Sequence, residues 1–173
     1  MKLGLFYVLA LALLISSCAS VRQAPLLPMS DAYVEQQTVH RIVIEQGDQH
    51  HEFIAGLTLS AQQIQVVGLS HVGQRLFSLY YDGADVVVDS LYAEDIPAQM
   101  IIGDIMLAYG EINALQAVLP KHWALKQQGA TRQLFHRRKE VINISYLGTG
   151  EPEETLLIDH VDQGFQLYIS TIN

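Results

Sequence analysis

The chain has 173 residues, half of them apolar and only 16% charged, and its formal net charge is −8. This length fits one domain with a substantial core, and the acidic balance excludes the nucleic-acid-binding classes, which need basic patches. Such high apolar content predicts a large core or an apolar surface kept for a ligand.

Residues 1–17 have the layout of a secretory signal. Lys2 precedes an apolar run from Leu3 to Ile15, and two small serines follow the run. The run is too short for a permanent membrane helix, which needs about 20 apolar residues, but it has the length of the apolar region of a signal. We therefore predict that residues 1–17 are a signal peptide that the mature protein lacks.

Cys18 is the one cysteine of the sequence and follows directly after this signal. The segment Ile15-Ser16-Ser17-Cys18 resembles a bacterial lipobox, in which the thiol receives a diacylglycerol and the new amino terminus is acylated. The resemblance implies that Cys18 is the lipid attachment site. Ala19 in place of Asp implies the periplasmic face of the outer membrane of a Gram-negative bacterium. Two alternatives remain, an ordinary cleaved signal with an incidental cysteine and a buried free cysteine.

The segment after the signal differs from the rest of the chain. Residues 18–32 carry Pro25 and Pro28 and have no periodicity, which is typical of a linker. We predict that they are the lipidated amino terminus and a tether, and that residues 33–173 form a single domain.

Ten short runs with alternating apolar and polar residues predict ten strands. Turn signals such as Gly47-Asp48 and Asp82-Gly83 join the first five runs, which indicates an antiparallel meander. The runs are QQTVHRIVIEQ, HHEFIAGLTLS, QQIQVVGLS, QRLFSLYY and ADVVVDSLY, followed after a gap by HWALKQQ, TRQLFHR, KEVINISYLG, ETLLIDHV and GFQLYIST.

The gap between the two groups of strands has helical spacing instead. Apolar residues recur on both sides of Gly110 in PAQMIIGDIMLAYGEINALQAVLP. Asp95 can cap the first helix, and Pro120 ends the second. We predict two helices, each with one apolar stripe that must lie against something apolar. Asp104 and Glu111 argue against a membrane-spanning segment.

These elements predict a mainly β (α+β) fold. It is a curved antiparallel sheet, or incomplete β-barrel, of about ten strands, with a central helical pair that covers an apolar interior. This arrangement resembles the LolA and LolB fold, in which an incomplete barrel lidded by helices encloses a hollow for acyl chains.

The mature chain also resembles a family of small lipoproteins of unknown function encoded in bacterial aryl polyene gene clusters. The resemblance rests on the segments APLLP, PAQMIIGDIMLAYG, LQAVLP and RRKEVINISY. No catalytic residue set comes with that family, and the sequence gives no evidence of catalysis, nucleotide use or metal binding. We therefore predict a protein that is not an enzyme and needs no cofactor.

Two functions follow from these resemblances. The first is a carrier that binds an acyl or polyene lipid, or lipoprotein acyl chains, and assists its transfer into the outer membrane. The second is a lipid-tethered scaffold for envelope proteins, with a packed interior. A carrier needs an open apolar pocket, and its predicted lining residues lie on the first helix: Met100, Ile101, Ile105, Met106 and Tyr109.

Several polar residues have alternative interpretations. His50 and Glu52 alternate on one face of a strand but lack metal-ligand spacing, so they indicate a hairpin turn. Ser70 could form a catalytic triad with Asp159 and His160 only if the fold joined them.

Asp104 could face the cavity, where burial would raise its pKa, or mark the wet side of its helix. Arg132, Arg137 and Arg138 could bind lipid phosphates or form a solvated hairpin tip.

Overall fold

The computed structural model describes residues 23–90, 97–148 and 155–172. The predicted signal peptide, Cys18 and Asp95 lie outside these residues. The described part of the chain contains no helix that is long and apolar enough to cross a membrane.

Ten strands form one antiparallel sheet in the order β5-β4-β3-β2-β1-β10-β9-β8-β7-β6. The strands are β1 (Gln36–Gln46), β2 (Gln49–Leu59), β3 (Ile64–Leu69), β4 (Arg75–Tyr81), β5 (Val86–Ser90), β6 (Trp123–Gln128), β7 (Thr131–His136), β8 (Lys139–Leu147), β9 (Thr155–His160) and β10 (Phe165–Ile172). Within the described residues, β5 and β6 are the two free edges, so the sheet is not closed into a barrel. The predicted fold class, a curved antiparallel sheet with a helical pair, is confirmed.

The first and last strands pair at the centre of the sheet. Their register runs from Val39 opposite Ile172 to Glu45 opposite Gln166. This pairing joins two consecutive meanders, β1 to β5 and β6 to β10, into one surface. Buried and less buried residues alternate along strands such as β9 and β10, because successive side chains of a strand point to opposite faces.

Two helices connect the edge strands. They are α1 (Ala98–Tyr109) and α2 (Ile112–Val118). The helical segment is interrupted at Gly110, as predicted. An added Cβ at this position would come within 2.8 Å of the Leu115 side chain. The Glu111 carboxylate then accepts hydrogen bonds from two backbone N–H groups of α2, which satisfies donors that have no partner within a helix.

The α1 helix is buried on nearly all sides, so the prediction of a single apolar stripe is wrong for it. The reason is that the amino-terminal segment packs against the domain. Ala24 lies against Gly103 of α1, and the buried Leu27 accepts a hydrogen bond of 3.0 Å from the hydroxyl of Tyr81. Residues 24–32, which we expected to be part of a tether, therefore belong largely to the packed domain.

Polar contacts fasten the end of α1 to the second meander. The buried guanidinium of Arg132 on β7 donates to the carbonyl oxygens of Leu107 and Gly110, and the Tyr146 hydroxyl on β8 donates to that of Ala108 at 2.6 Å. These carbonyls have no acceptor role within the helix, and a cation is favourable at this end of the helix dipole.

The placement of Arg132 corrects the predicted arginine cluster. Arg132 is near the start of β7, whereas Arg137 and Arg138 are exposed in the turn after its end. Because Arg132 is bound to α1, the three side chains do not form one phosphate-binding group.

Candidate functional site

A cavity of about 430 Å³ lies between α1 and the inner face of the sheet. Most of its wall is aliphatic or aromatic, and its volume falls within the roughly 300–1,000 Å³ typical of ligand pockets. His51 and Pro97 are the exposed residues of the wall, so the cavity opens between β2 and the start of α1. The lining residues from the sheet are His40, Ile42, Ile44, His51, Phe53, Ala55, Leu57, Val66, Phe77, Leu167 and Ile169.

Four of the five predicted cavity residues line this space. Met100, Ile101, Ile105 and Tyr109 face it, together with Asp104. Met106 is fully buried but is not among the lining residues, because each helical residue is turned about 100° from the one before it. That these residues bind a ligand remains a prediction.

The predicted cavity residues all lie on the first helix, so the residues that the sheet contributes to the wall were not predicted. Alternation along β1 and β2 does place Ile42, Ile44, Phe53 and Ala55 on one face, and this signal was available in the sequence. Leu167 and Ile169 of β10 also line the cavity, because β10 pairs with β1. No local pattern in the sequence indicates this pairing.

Phe77 shapes the cavity with the help of a glycine. Gly68 is directly opposite Phe77 across the β3–β4 pair, and an added Cβ at Gly68 would lie 2.3 Å from the Phe77 ring. The ring therefore occupies space that any other residue at position 68 would fill. It also packs edge-on against Phe53, with ring centroids 5.7 Å apart.

A buried acid and a buried histidine meet beside the cavity. Oδ2 of Asp104 and Nε2 of His160 are 2.9 Å apart, and the His160 ring stacks on Phe165 with centroids 4.2 Å apart. Burial raises the pKa of the Asp104 carboxyl, and the hydrogen bond from His160 opposes this rise. Oδ1 of Asp104 is buried and has no hydrogen-bond partner in the described part of the chain.

His40 is the second buried histidine of the site. Its Nε2 atom is 2.7 Å from the Thr38 hydroxyl and 3.5 Å from the Tyr109 hydroxyl, and Nδ1 is 3.4 Å from that of Thr171. Burial lowers the pKa of His40. The neutral ring is therefore favoured, and it joins the end of α1 to the centre of the sheet.

The histidine pair at the β1–β2 hairpin does not form a metal centre. Glu52 is held by two hydrogen bonds from Arg41, of 2.6 and 2.9 Å, which lower the pKa of Glu52. His50 is 3.9 Å from the same carboxylate. Across residues 23–90, 97–148 and 155–172, no group of three or more His, Cys, Asp or Glu side chains is placed to hold a metal ion.

Ser70 and His160 do not form a catalytic triad. Ser70 follows β3, and three strands separate β3 from β9, which carries His160. The two residues therefore lie on parts of the sheet that do not neighbour each other. Asp159 also points to the opposite face from its neighbour His160, whose partner is Asp104.

Comparison with known proteins identifies one family. The family described as "Protein of unknown function (DUF3261)" matches residues 36–173, which span all ten strands and both helices. None of the curated proteins matches the chain significantly.

Proposed function

The chain belongs to the DUF3261 family of proteins of unknown function, and we propose that it is an outer-membrane-anchored periplasmic lipid carrier. It binds an acyl or polyene lipid, or the acyl chains of a lipoprotein, and assists transfer into the outer membrane. The apolar cavity under α1 is the observation that carries this proposal. The resemblance of the predicted strands and helices to the LolA and LolB fold, in which the hollow holds acyl chains, supports the same use of the cavity.

The size of the cavity favours a ligand over a packed interior. A volume of about 430 Å³ lies within the range of ligand pockets, and most of the wall is aliphatic or aromatic. A hydrocarbon chain bound there would remove its own apolar surface and that of the wall from water, which is favourable by roughly 25 cal/mol per Å².

The packed amino-terminal segment supports a position close to the membrane. Ala24 is buried against α1, and Cys18 precedes it by only six positions. A fully extended chain of that length reaches at most about 20 Å. If Cys18 carries the acyl groups, the domain and its cavity remain near the bilayer surface.

The second candidate is a lipid-tethered scaffold for envelope proteins. It is favoured by the edge strand β5, where Val87 and Val88 are 56% and 47% exposed. An open strand edge can pair with another chain. A scaffold does not need the cavity to hold a lipid, and this difference separates the two functions.

Lipid extraction tests the proposal directly. The mature chain from Ala19, which keeps every described residue and lacks attached acyl groups, would be purified from a bacterial periplasm without detergent. Native mass spectrometry should detect one lipid per protein, and fragmentation should identify its class. A folded protein that carries no lipid, and takes up none from vesicles, would contradict the carrier and favour the scaffold.

A further inference from the structure

We propose that the ligand of the cavity carries a neutral hydroxyl group, which donates a hydrogen bond to Oδ1 of Asp104. This inference rests on the proposed carrier function and specifies the lipid class. Asp104 lines the cavity and is 3% exposed. Its Oδ1 atom has no hydrogen-bond partner in the described part of the chain.

Oδ1 of Asp104 lacks a hydrogen-bond donor in the described part of the chain. Burying an acceptor without a partner costs free energy that a donor from the ligand would recover. His40, the buried histidine of the wall, already has the hydroxyls of Thr38 and Tyr109 within hydrogen-bond distance. A hydrogen bond to Asp104 is therefore the polar contact that would add most to the binding free energy of a ligand.

The surroundings of Asp104 favour a neutral donor over a charged one. No Lys or Arg is among the described residues that line the cavity, so a phosphate or carboxylate would find no cation there. His160 already faces Oδ2, and burial raises the pKa of Asp104. An ammonium group would be a further charge taken out of water beside this pair, and a neutral hydroxyl avoids that cost.

The position of Asp104 places the hydroxyl inside the cavity. Pro97 marks the opening, and Asp104 is seven positions further along the chain, which corresponds to about 10 Å along a helix. A polar head group that stayed at the opening would not reach this carboxyl. The ligand must carry its hydroxyl past Met100 and Ile101.

Competition binding with matched probes tests the assignment. The mature chain from Ala19 would be loaded with the neutral fluorophore N-phenyl-1-naphthylamine, once cooperative unfolding has shown that the chain is folded. The fluorophore would then be displaced by 1-decanol, decyl methyl ether, decanoate or decylammonium. The alcohol should bind roughly tenfold more tightly than the ether, which has the same chain but cannot donate a hydrogen bond.

A variant then locates the effect. Asp104→Leu should remove the preference for the alcohol while the ether still binds, and Gln99→Leu, on the exposed side of α1, should leave the preference unchanged. The comparison of probes on the unaltered protein stands even if the Asp104 variant does not fold.

Each contrary result has its own meaning. Equal binding of alcohol and ether would overturn the head-group assignment and leave the carrier function standing. Tighter binding of decylammonium or decanoate, or an alcohol preference that survives Asp104→Leu, would also overturn the assignment. If no probe displaces the fluorophore, the assignment and the carrier function both fail.

Discussion

Asp104 of α1 and His160 of β9 are 56 positions apart in the chain and are joined by a hydrogen bond of 2.9 Å. With the contacts of Arg132 and Tyr146, this bond attaches α1 to strands β7, β8 and β9. The cavity lies between α1 and strands β1 to β4 and β10, and Asp104 is part of its wall. The polar contacts thus hold the helix over the sheet beside the cavity.

The Asp104–His160 pair should be strongly coupled in stability. His160→Leu leaves a buried carboxyl without its partner and should lower the free energy of unfolding by about 3 kcal/mol. The double variant Asp104→Leu/His160→Leu should recover most of this loss, because no buried polar group is then unpaired. Urea unfolding of the four proteins gives the coupling energy. Additive effects of the two substitutions would contradict the coupling.

A charge in the cavity wall should abolish lipid binding. Ile105 is 9% exposed and lines the cavity, so Ile105→Glu would place a carboxylate against the hydrocarbon. We expect at least a tenfold fall in co-purified lipid, measured by mass spectrometry. Gln99→Glu adds the same charge on the exposed side of α1 and should retain the lipid. Ile101→Trp, which fills space without a charge, should also reduce binding. Full lipid occupancy in both wall variants would mean that the ligand lies elsewhere.

Arg132 should matter far more to stability than an exposed arginine. Arg132→Met removes the donors to the Leu107 and Gly110 carbonyls and should cost about 2–4 kcal/mol. Arg75→Met breaks an ion pair of 2.9 Å with Asp89 in which both side chains are exposed. That change should cost less than about 1 kcal/mol. Thermal and urea unfolding measure both, and similar losses would exclude the role of Arg132 in holding α1.

Leu27 should behave as a core residue although it precedes the first strand. It is 1% exposed, so Leu27→Ala should lower the free energy of unfolding by about 3 kcal/mol. Val34→Ala is the matched control, because Val34 is 77% exposed, and its effect should stay within about 0.5 kcal/mol. A negligible effect of Leu27→Ala in urea unfolding would show that residues 24–32 are a tether after all.

His40 should make stability fall in mild acid. Its pKa is lowered in the folded state from the ordinary value of 6.5, so the unfolded chain takes up the proton first as the pH falls. The contribution of His40 to the free energy of unfolding is therefore complete above about pH 6.5. Below that pH it decreases by at most about 1.4 kcal/mol per pH unit. The groups nearest to His40 are the hydroxyls of Thr38, Tyr109 and Thr171.

The variant His40→Gln isolates this effect from other titrations. Asp104 acts in the opposite direction, because its raised pKa reduces its contribution as the pH rises above about 4. The free energy of unfolding of the wild type, minus that of His40→Gln, should be smaller at pH 5 than at pH 7. A difference that does not change with pH would contradict a buried neutral His40.

Local patterns in the sequence were sufficient to locate the strands and helices. Period-two alternation and turn signals such as Gly47-Asp48 located the strands, and Gly110 marked the break between the helices. Helical spacing also placed four of the five predicted residues at the cavity. These features depend on neighbours a few positions apart, so the sequence by itself determined the fold class and most of the α1 residues that line the cavity.

Only the tertiary structure decided how these elements meet. The pairing of β1 with β10, the packing of Leu27 under Tyr81, the contact of Arg132 with α1 and the bond of Asp104 to His160 all join distant positions. A carboxyl in an apolar helix is compatible with either a wet surface or a buried site. Asp104 is buried because His160 of β9 supplies a hydrogen-bond partner. Without such a partner from a distant part of the chain, burial of the carboxyl would cost too much free energy.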